Sequence, residues 1–249
     1  MSKVNIRDSV RRTEDIRFVS GQGSYIDDMN VDGQLMGVFV RSPHAHAAIN
    51  GFDKTDALAL DGVVDVITGV DWAELGFGVI PTNSAVKENA DGTPIAVPER
   101  PCLAATRVRF VGEPVAMVIA ETVDAAREAR DLLEVDYMPL DAVTHPVKTL
   151  EHGAPQLHDG IDGNLCVYWE LGDGDATETE LAASDHLVTL ELHNNRVTAA
   201  PIEPRGALAI PDTETGVTTI YQATQNIHAL RAAMATILNL ENDQLRHVA

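Results

Sequence analysis

Apolar and polar positions alternate in short runs along this chain, and the runs differ in period. Gln34–Arg41 (QLMGVFVR) is a nearly continuous apolar stretch, which predicts a strand; Ser42-Pro43-His44 ends it, because proline removes a ladder donor. Thr55–Leu60 predicts a short helix with Thr55 as its cap, and Val63–Thr68 a β-branched strand directly after it. Val70–Leu75 reads as another helical turn, and residues 76–101 as a long surface loop rich in Gly, Pro and charge. Val108–Phe110 and Val115–Ala120 are strand pieces around Gly112-Glu113-Pro114. Thr122 then caps a helix running to about Leu133, with Val123, Ala126 and Leu133 inward and Arg127 with Asp131 as an outward ion pair. Leu133–Tyr137 is a closing strand.

Residues 138–165 hold no period, and their Pro, Gly, Asp and His content suggests a boundary. Beyond it His186–Leu192 alternates as a strand, and Gly206–Ile210 and Gly216–Gln222 predict two more. Asn226 precedes a helix whose Ile227, Leu230, Met234 and Ile237 recur at helical spacing. Asn239–Gln244 is a turn, and Leu245–Ala249 starts a strand. The N-terminal residues 1–17 are charged and aperiodic, and read as an extended arm; residues 21–28 read as a turn.

Composition narrows the function. With 45% hydrophobic residues in 249, the chain can bury one large core or two modest ones. Its formal charge of −20 repels phosphate backbones and anionic lipid, which argues against nucleic acid as a partner. The acidic excess at Glu170–Asp185 reads as a solvated face, with a docking surface for a basic partner as the alternative. Cys102 and Cys166 are too few and too far apart for a disulfide framework or an iron–sulfur cluster, and reduced thiols suit cytoplasm. No apolar run is long enough to span a membrane.

Nor does any motif assign chemistry unaided. His44 and His46 would share one strand face, but two ligands do not close a metal site, so a surface or packing role suits them better. Gly21-Gln22-Gly23 lacks the preceding strand and the later glycine of a dinucleotide fingerprint. Glu113 reads as a structural residue of a proline-bounded turn.

Five blocks, however, occur in a telling order: GQGSYIDD (21–28), VRSPHAHAAI (40–49), RVRFVGEPVAMVIAET (107–122), NNRVTAAPIEPRGALA (194–209) and YQATQNIHALR (221–231). Together they resemble the large subunits of molybdenum hydroxylases, the xanthine dehydrogenase/aldehyde oxidase family that also includes aerobic carbon monoxide dehydrogenases. The resemblance implies an α+β fold: an arm over 1–17, an a/b hammerhead domain over 18–140, a linker over 141–160, and over 161–249 the start of a molybdopterin-binding domain. The family's glycine-rich GGGFG turn and its active-site glutamate are not in this sequence, so the resemblance implies a truncated subunit without catalytic residues of its own.

The resemblance also assigns site residues. Gln225 aligns with a glutamine that donates to an oxygen ligand on molybdenum from outside the coordination sphere, a role suited to an uncharged amide with two N–H donors. The alternative for Gln225 is a helix-capping or loop role. Glu203 and Arg205 fall in the block that approaches the substrate pocket, with an ion pair between them as the alternative. The implied reaction is oxidative hydroxylation of an aldehyde, N-heterocycle or carbon monoxide-type substrate with water as oxygen source. The PIEPRG block looks more like the aldehyde and heterocycle oxidisers. Implied cofactors are molybdenum-molybdopterin, in the cytosine dinucleotide form, with [2Fe–2S] and FAD on partner subunits. Implied partners are an FAD-binding medium subunit and a [2Fe–2S] small subunit, assembled as a dimer of heterotrimers. The competing reading is a stand-alone, non-catalytic hammerhead module for binding or assembly. If the subunit is truncated, the apolar faces of residues 186–249 are left without their usual cover.

Overall fold

A computed structural model describes residues 11–195 and 197–249. By contacts, these form two compact units. One comprises Gly33–Ala199 with Ala233–Leu240; the other comprises the described residues through Asp32 together with Ala200–Ala232 and Glu241–Ala249.

The larger unit is built on two three-stranded sheets. Its strands are β1 (Met36–Arg41), β2 (Ala47–Asp53), β3 (Val63–Thr68), β4 (Arg107–Val108), β5 (Pro114–Ala120) and β6 (Glu134–Pro139). One sheet has the order β1-β5-β3 and the other β4-β2-β6, and every pairing is antiparallel. Strand β5 is central, with Val115, Ala116, Val118 and Ala120 buried, the other three partly so and none exposed, which explains why PVAMVIA is apolar throughout instead of alternating. Val118 stands opposite Val38 on one side and Val66 on the other.

Four helices belong wholly to this unit: α2 (Thr55–Ala59), α3 (Gly69–Glu74), α4 (Val123–Leu132) and α5 (Gly174–Ala183), α1 (Asp15–Val19) lying in the smaller one. Helix α4 begins as expected, with the Thr122 hydroxyl accepting from the Ala125 N–H at 3.1 Å. Its Ala126 and Ala129 are fully buried in the cluster that holds Val40, Val66, Val115, Val118 and Ala120. Methyl-sized side chains let the helix backbone come close to the sheet. The connections around β5 are fastened by Glu113: its carbonyl accepts from Ser42 N–H at 2.9 Å, and its carboxylate accepts from Arg109 N–H at 2.5 Å. Glu113 is thus the structural turn residue expected. Burial pushes its carboxyl above the usual value, against the opposing pull of the Arg109 N–H and charge.

Lys54 closes the α2–β3–α3 corner. Its ammonium donates to both Asp71 oxygens, at 3.0 and 2.9 Å, and to the Val66 carbonyl at 3.2 Å. Asp71 and Thr68 complete a reciprocal capping box at the start of α3. His46 is buried and pairs its Nδ1 with the Asp141 carbonyl at 2.7 Å, while His44 packs edge-on against Tyr137. Both histidines therefore pack, as expected.

Several expectations are corrected. The arm predicted over 1–17 lies outside the described residues up to position 10, and Asp15–Val19 within and beyond it is the helix α1, where Arg12 pairs with Asp15 at 2.9 Å. Thr55 is not a cap: it is the first helical residue, and the Asp53 carboxylate accepts its N–H at 2.9 Å. The Arg127–Asp131 pair gives way to nearer neighbours, Asp124 for Arg127 at 3.8 Å and Arg130 for Asp131 at 2.8 Å. Strand β2 was not foreseen, because a register shift between Ile49 and Gly51 breaks its alternation. Helix α5, capped by Asp173 accepting from Ala176 N–H at 2.9 Å, was not foreseen either. It buries nothing, which matches the solvated acidic face read there.

His186–Leu192 has no strand structure. Its Leu187, Val188, Leu190 and Leu192 are all exposed. Alternation makes a segment competent to pair, but a strand exists only when another edge satisfies its N–H and C=O groups.

Two outcomes test this account. Gly69 opens α3 with its Cα hydrogen against the returning chain: a Cβ there would lie 2.4 Å from the Ala104 carbonyl oxygen. Gly69→Ala is expected to cost about 2–3 kcal/mol, read as a lower midpoint in urea unfolding. An unchanged midpoint would contradict the close approach. For Glu113, the folded state holds the proton more tightly than the unfolded chain does, whose value is near 4.5. Its contribution to stability is therefore fully present below that pH and is lost as pH rises through the raised value. Glu113→Gln, with no proton to release, should gain relative to the wild type across that window. Parallel stability–pH profiles for the two proteins would refute it.

Candidate functional site

The smaller unit carries β7 (Ala207–Pro211), β8 (Thr218–Gln222) and β9 (Leu245–Val248), in the order β7-β8-β9. Strands β7 and β8 form an antiparallel hairpin in the register Ala207↔Gln222, closed at its far end by Asp212, whose carboxylate takes the N–H groups of Glu214 and Thr215. Helix α6 (Ile227–Leu238) follows β8, its residues through Ala232 belonging to this unit. Strand β9 then runs parallel to β8, with Ile220 beside His247 and Tyr221 beside Val248.

This topology gathers three things at one end of the sheet: the residues entering β7, the residues leaving β8, and the carboxyl end of β9. Glu203-Pro204-Arg205-Gly206 and Ala223-Thr224-Gln225 are therefore neighbours in the fold although a hairpin separates them in sequence. Carboxyl ends of parallel strands that feed a helix are where α/β sheets place ligands.

Local hydrogen bonds shape the turn that carries Gln225. The Thr224 hydroxyl accepts from Asn226 N–H at 3.2 Å, and Asn226 Oδ1 accepts from Ala229 N–H at 3.1 Å, capping α6. Asn226 does the capping, so the Gln225 amide is not needed for it, and Gln225 is exposed in the bend between strand and helix.

Glu203 is half-buried, and its Oε1 accepts from Ile26 N–H at 3.2 Å. Ile26 opens a short 3-10 turn, Ile26–Asp28, in which Tyr25 N–H donates to the Asp28 carboxylate at 2.8 Å. Gly206 completes the contact, since a Cβ there would sit 3.3 Å from Ile26 Cγ2. The GQGSYIDD and PIEPRG blocks, 177 residues apart at this hydrogen bond, are thus one piece of structure. Arg205 is exposed, and Glu203 spends its oxygen on the Ile26 backbone instead of on Arg205.

The sequence reading overlooked one group in the same unit. Val217, Ile227, His228, Arg231, Asp243, Leu245, Arg246 and His247 line a cavity of about 350 Å³. The spacing of His228 and Arg231 on one helix face was the available signal, but nothing in the sequence placed His247 beside them. In the larger unit a cavity of about 650 Å³ runs between Trp72, Phe77, Cys102 and Arg109. Its guanidinium groups are already engaged: Arg107 with Asp159 at 2.8 Å, and Arg109 with the Leu157 carbonyl at 2.9 Å. Among the described residues no cluster of three or more His, Cys, Asp or Glu could hold a metal, and no helix is long and apolar enough to cross a membrane. Cys102 and Cys166 are free thiols, and burial pushes Cys102 up.

Comparison with known proteins adds the family. Residues 20–141 match the model of the aldehyde oxidase and xanthine dehydrogenase a/b hammerhead domain, and residues 157–249 that of the molybdopterin cofactor-binding domain. The chain is 32% identical to the carbon monoxide dehydrogenase large chain of Afipia carboxidovorans, across 96% of this chain and 30% of that one. It is 34% identical to the nicotine 6-hydroxylase large subunit of Paenarthrobacter nicotinovorans, across 94% of this chain and 28% of the relative. Its structure resembles quinoline 2-oxidoreductase from Pseudomonas putida 86, with a TM-score of 0.82, 33% identity, and coverage of 96% of this chain and 29% of that one. The chain thus spans less than a third of the length of these relatives. Its α+β fold is a hammerhead domain followed by the start of a molybdopterin-binding domain, and the chain belongs to the xanthine dehydrogenase/aldehyde oxidase family of molybdopterin-binding large subunits.

Proposed function

We propose that this chain supplies the hammerhead and the first part of the cofactor-binding region to a molybdenum hydroxylase. The whole enzyme oxidatively hydroxylates an aldehyde, an N-heterocycle or a carbon monoxide-type substrate, with water as the oxygen source. The observation that carries this reading is the meeting of the PIEPRG block and the Gln225 turn at one end of the β7-β8-β9 sheet. In domain terms residues 18–140 are the hammerhead, 141–160 the linker and 161–249 the start of the cofactor-binding domain.

The residues present fit the proposed cofactor. Gln225 offers an uncharged amide in an exposed bend that other residues already hold in shape. Such an amide donates hydrogen bonds without adding charge, so it can orient a polar cofactor edge. Arg205 is an exposed cation at the same sheet end, placed to attract and orient an electron-rich substrate group. Glu203, engaged with Ile26 N–H, acts through position: it holds the strand that presents Arg205 and forms pocket wall. When bound, the molybdenum-molybdopterin group, in its cytosine dinucleotide form, supplies the oxidation chemistry. A small and a medium partner subunit would hold [2Fe–2S] and FAD, which would supply the electron-acceptor chemistry in a cytoplasmic dimer of heterotrimers.

The rest of the large subunit has a structural task as well. The exposed alternating segment His186–Leu192 suits pairing with a strand from that polypeptide. A stand-alone hammerhead module would leave those four apolar side chains in water, which weighs against that alternative.

The first test extends the coding sequence past the codon for Ala249. A frame running into a glycine-rich turn agrees with the proposal; a stop codon there, with no partner chain encoding the remainder, overturns it. In the assembled enzyme, Gln225→Ala should lower kcat about 10–100-fold on aldehyde or heterocycle substrates while molybdenum content and KM change little. Unchanged kcat would remove Gln225 from the site. Amide hydrogen exchange at 186–192 should be fast in this chain and slow in the complete subunit. Equal rates in both would exclude the proposed pairing.

A further inference from the structure

The cavity of about 350 Å³ between α6 and β9 is cationic in a chain that is otherwise strongly acidic. Arg231, Arg246, His228 and His247 line it, against the one carboxylate of Asp243. Two of these side chains are incomplete. Arg231 Nε is buried without a hydrogen-bond partner, and so are both ring nitrogens of His247. A buried polar atom left unmade costs stability, and a guanidinium N–H more than most. The two groups are close enough that the Arg231 charge, after burial, holds His247 below its ordinary value. The Arg231 cation and the His247 imidazole thus converge on one space, and Asp243 bonds to neither.

The missing group must accept hydrogen bonds from a guanidinium N–H and an imidazole N–H at once. It must also offset the charge of Arg231. A carbonyl meets only the first demand; an oxyanion, with several lone pairs on adjacent oxygens, meets both. The cavity has room for a phosphate or carboxylate group with its substituent. We propose that Arg231 and His247 form a binding site for an oxyanion, a phosphate or carboxylate group, in the β8–α6–β9 unit. The site stands on these side chains alone and does not depend on the oxidation chemistry proposed above.

The test is a titration of the 249-residue chain with inorganic phosphate and, separately, with acetate, at constant ionic strength. His247 ring signals are followed by ¹H–¹⁵N NMR, with a melting curve on each variant to confirm that the fold is kept. A saturable shift of His247 toward the protonated form is expected, and Arg231→Gln should weaken it about tenfold, the loss of one charge-assisted hydrogen bond. Arg231→Lys, which keeps the charge but not the fork, should fall between. Tighter phosphate indicates a phosphate-bearing ligand, and tighter acetate a carboxylate from another polypeptide segment; either supports the site. No saturable shift of His247 with either anion, or the same affinity in Arg231→Gln and Arg231→Lys as in the wild type, overturns it.

Discussion

The larger unit depends on β5 being paired on both edges and covered on its Ala116–Val118–Ala120 face. The strand's buried positions are small or β-branched, Val115, Ala116, Val118 and Ala120, while Met117 is partly buried. With β1 and β3 zipped antiparallel on either side, every backbone group of the strand's middle is satisfied, and α4 can close over it through Ala126 and Ala129. Glu113, in the turn just before β5, ties the end of β1 to the return of the chain through its backbone and carboxylate together. A charged residue in that place is costly to bury. It is kept because three segments are joined through one side chain and its own carbonyl.

Much of this was legible in the residues. The β-branched run Val63–Thr68 is a strand over its whole predicted length, and Thr122 and Asn226 cap the helices they precede, because capping is a local interaction between neighbours. What stayed hidden is what is decided at a distance. A register shift between Ile49 and Gly51 disguises β2, and among the described residues no strand pairs with His186–Leu192. Helix α5 rests on a cap and on propensity, with no apolar stripe to betray it.

The site divides in the same way. Gln225 was reached through motif resemblance, and the fold then gave it a physical setting, a bend pinned by Thr224 and Asn226. Glu203 was read as a possible ion-pair partner of nearby Arg205, whereas the fold pairs it with the backbone of Ile26 far upstream. Long-range backbone contacts of this type leave no trace in local spacing. The grouping of His228, Arg231 and His247 is of the same kind, since it needs the parallel β8–β9 register to exist at all.

Gly69 sets a limit on how this sequence can drift. The chain leaves α3, wanders through the long loop over 76–101, and returns so tightly that the Ala104 carbonyl occupies the space of a side chain at position 69. Hydrogen bonds hold that loop at separate points, Gly78 N–H to the Ile237 carbonyl at 2.7 Å and Ala96 N–H to the Cys166 carbonyl at 2.9 Å, but none of them forbids a side chain as the approach at 69 does. Position 69 is not free. A mutational path that replaces this glycine must first move the backbone at 104–105, so the two places, far apart along the chain, can only evolve in step.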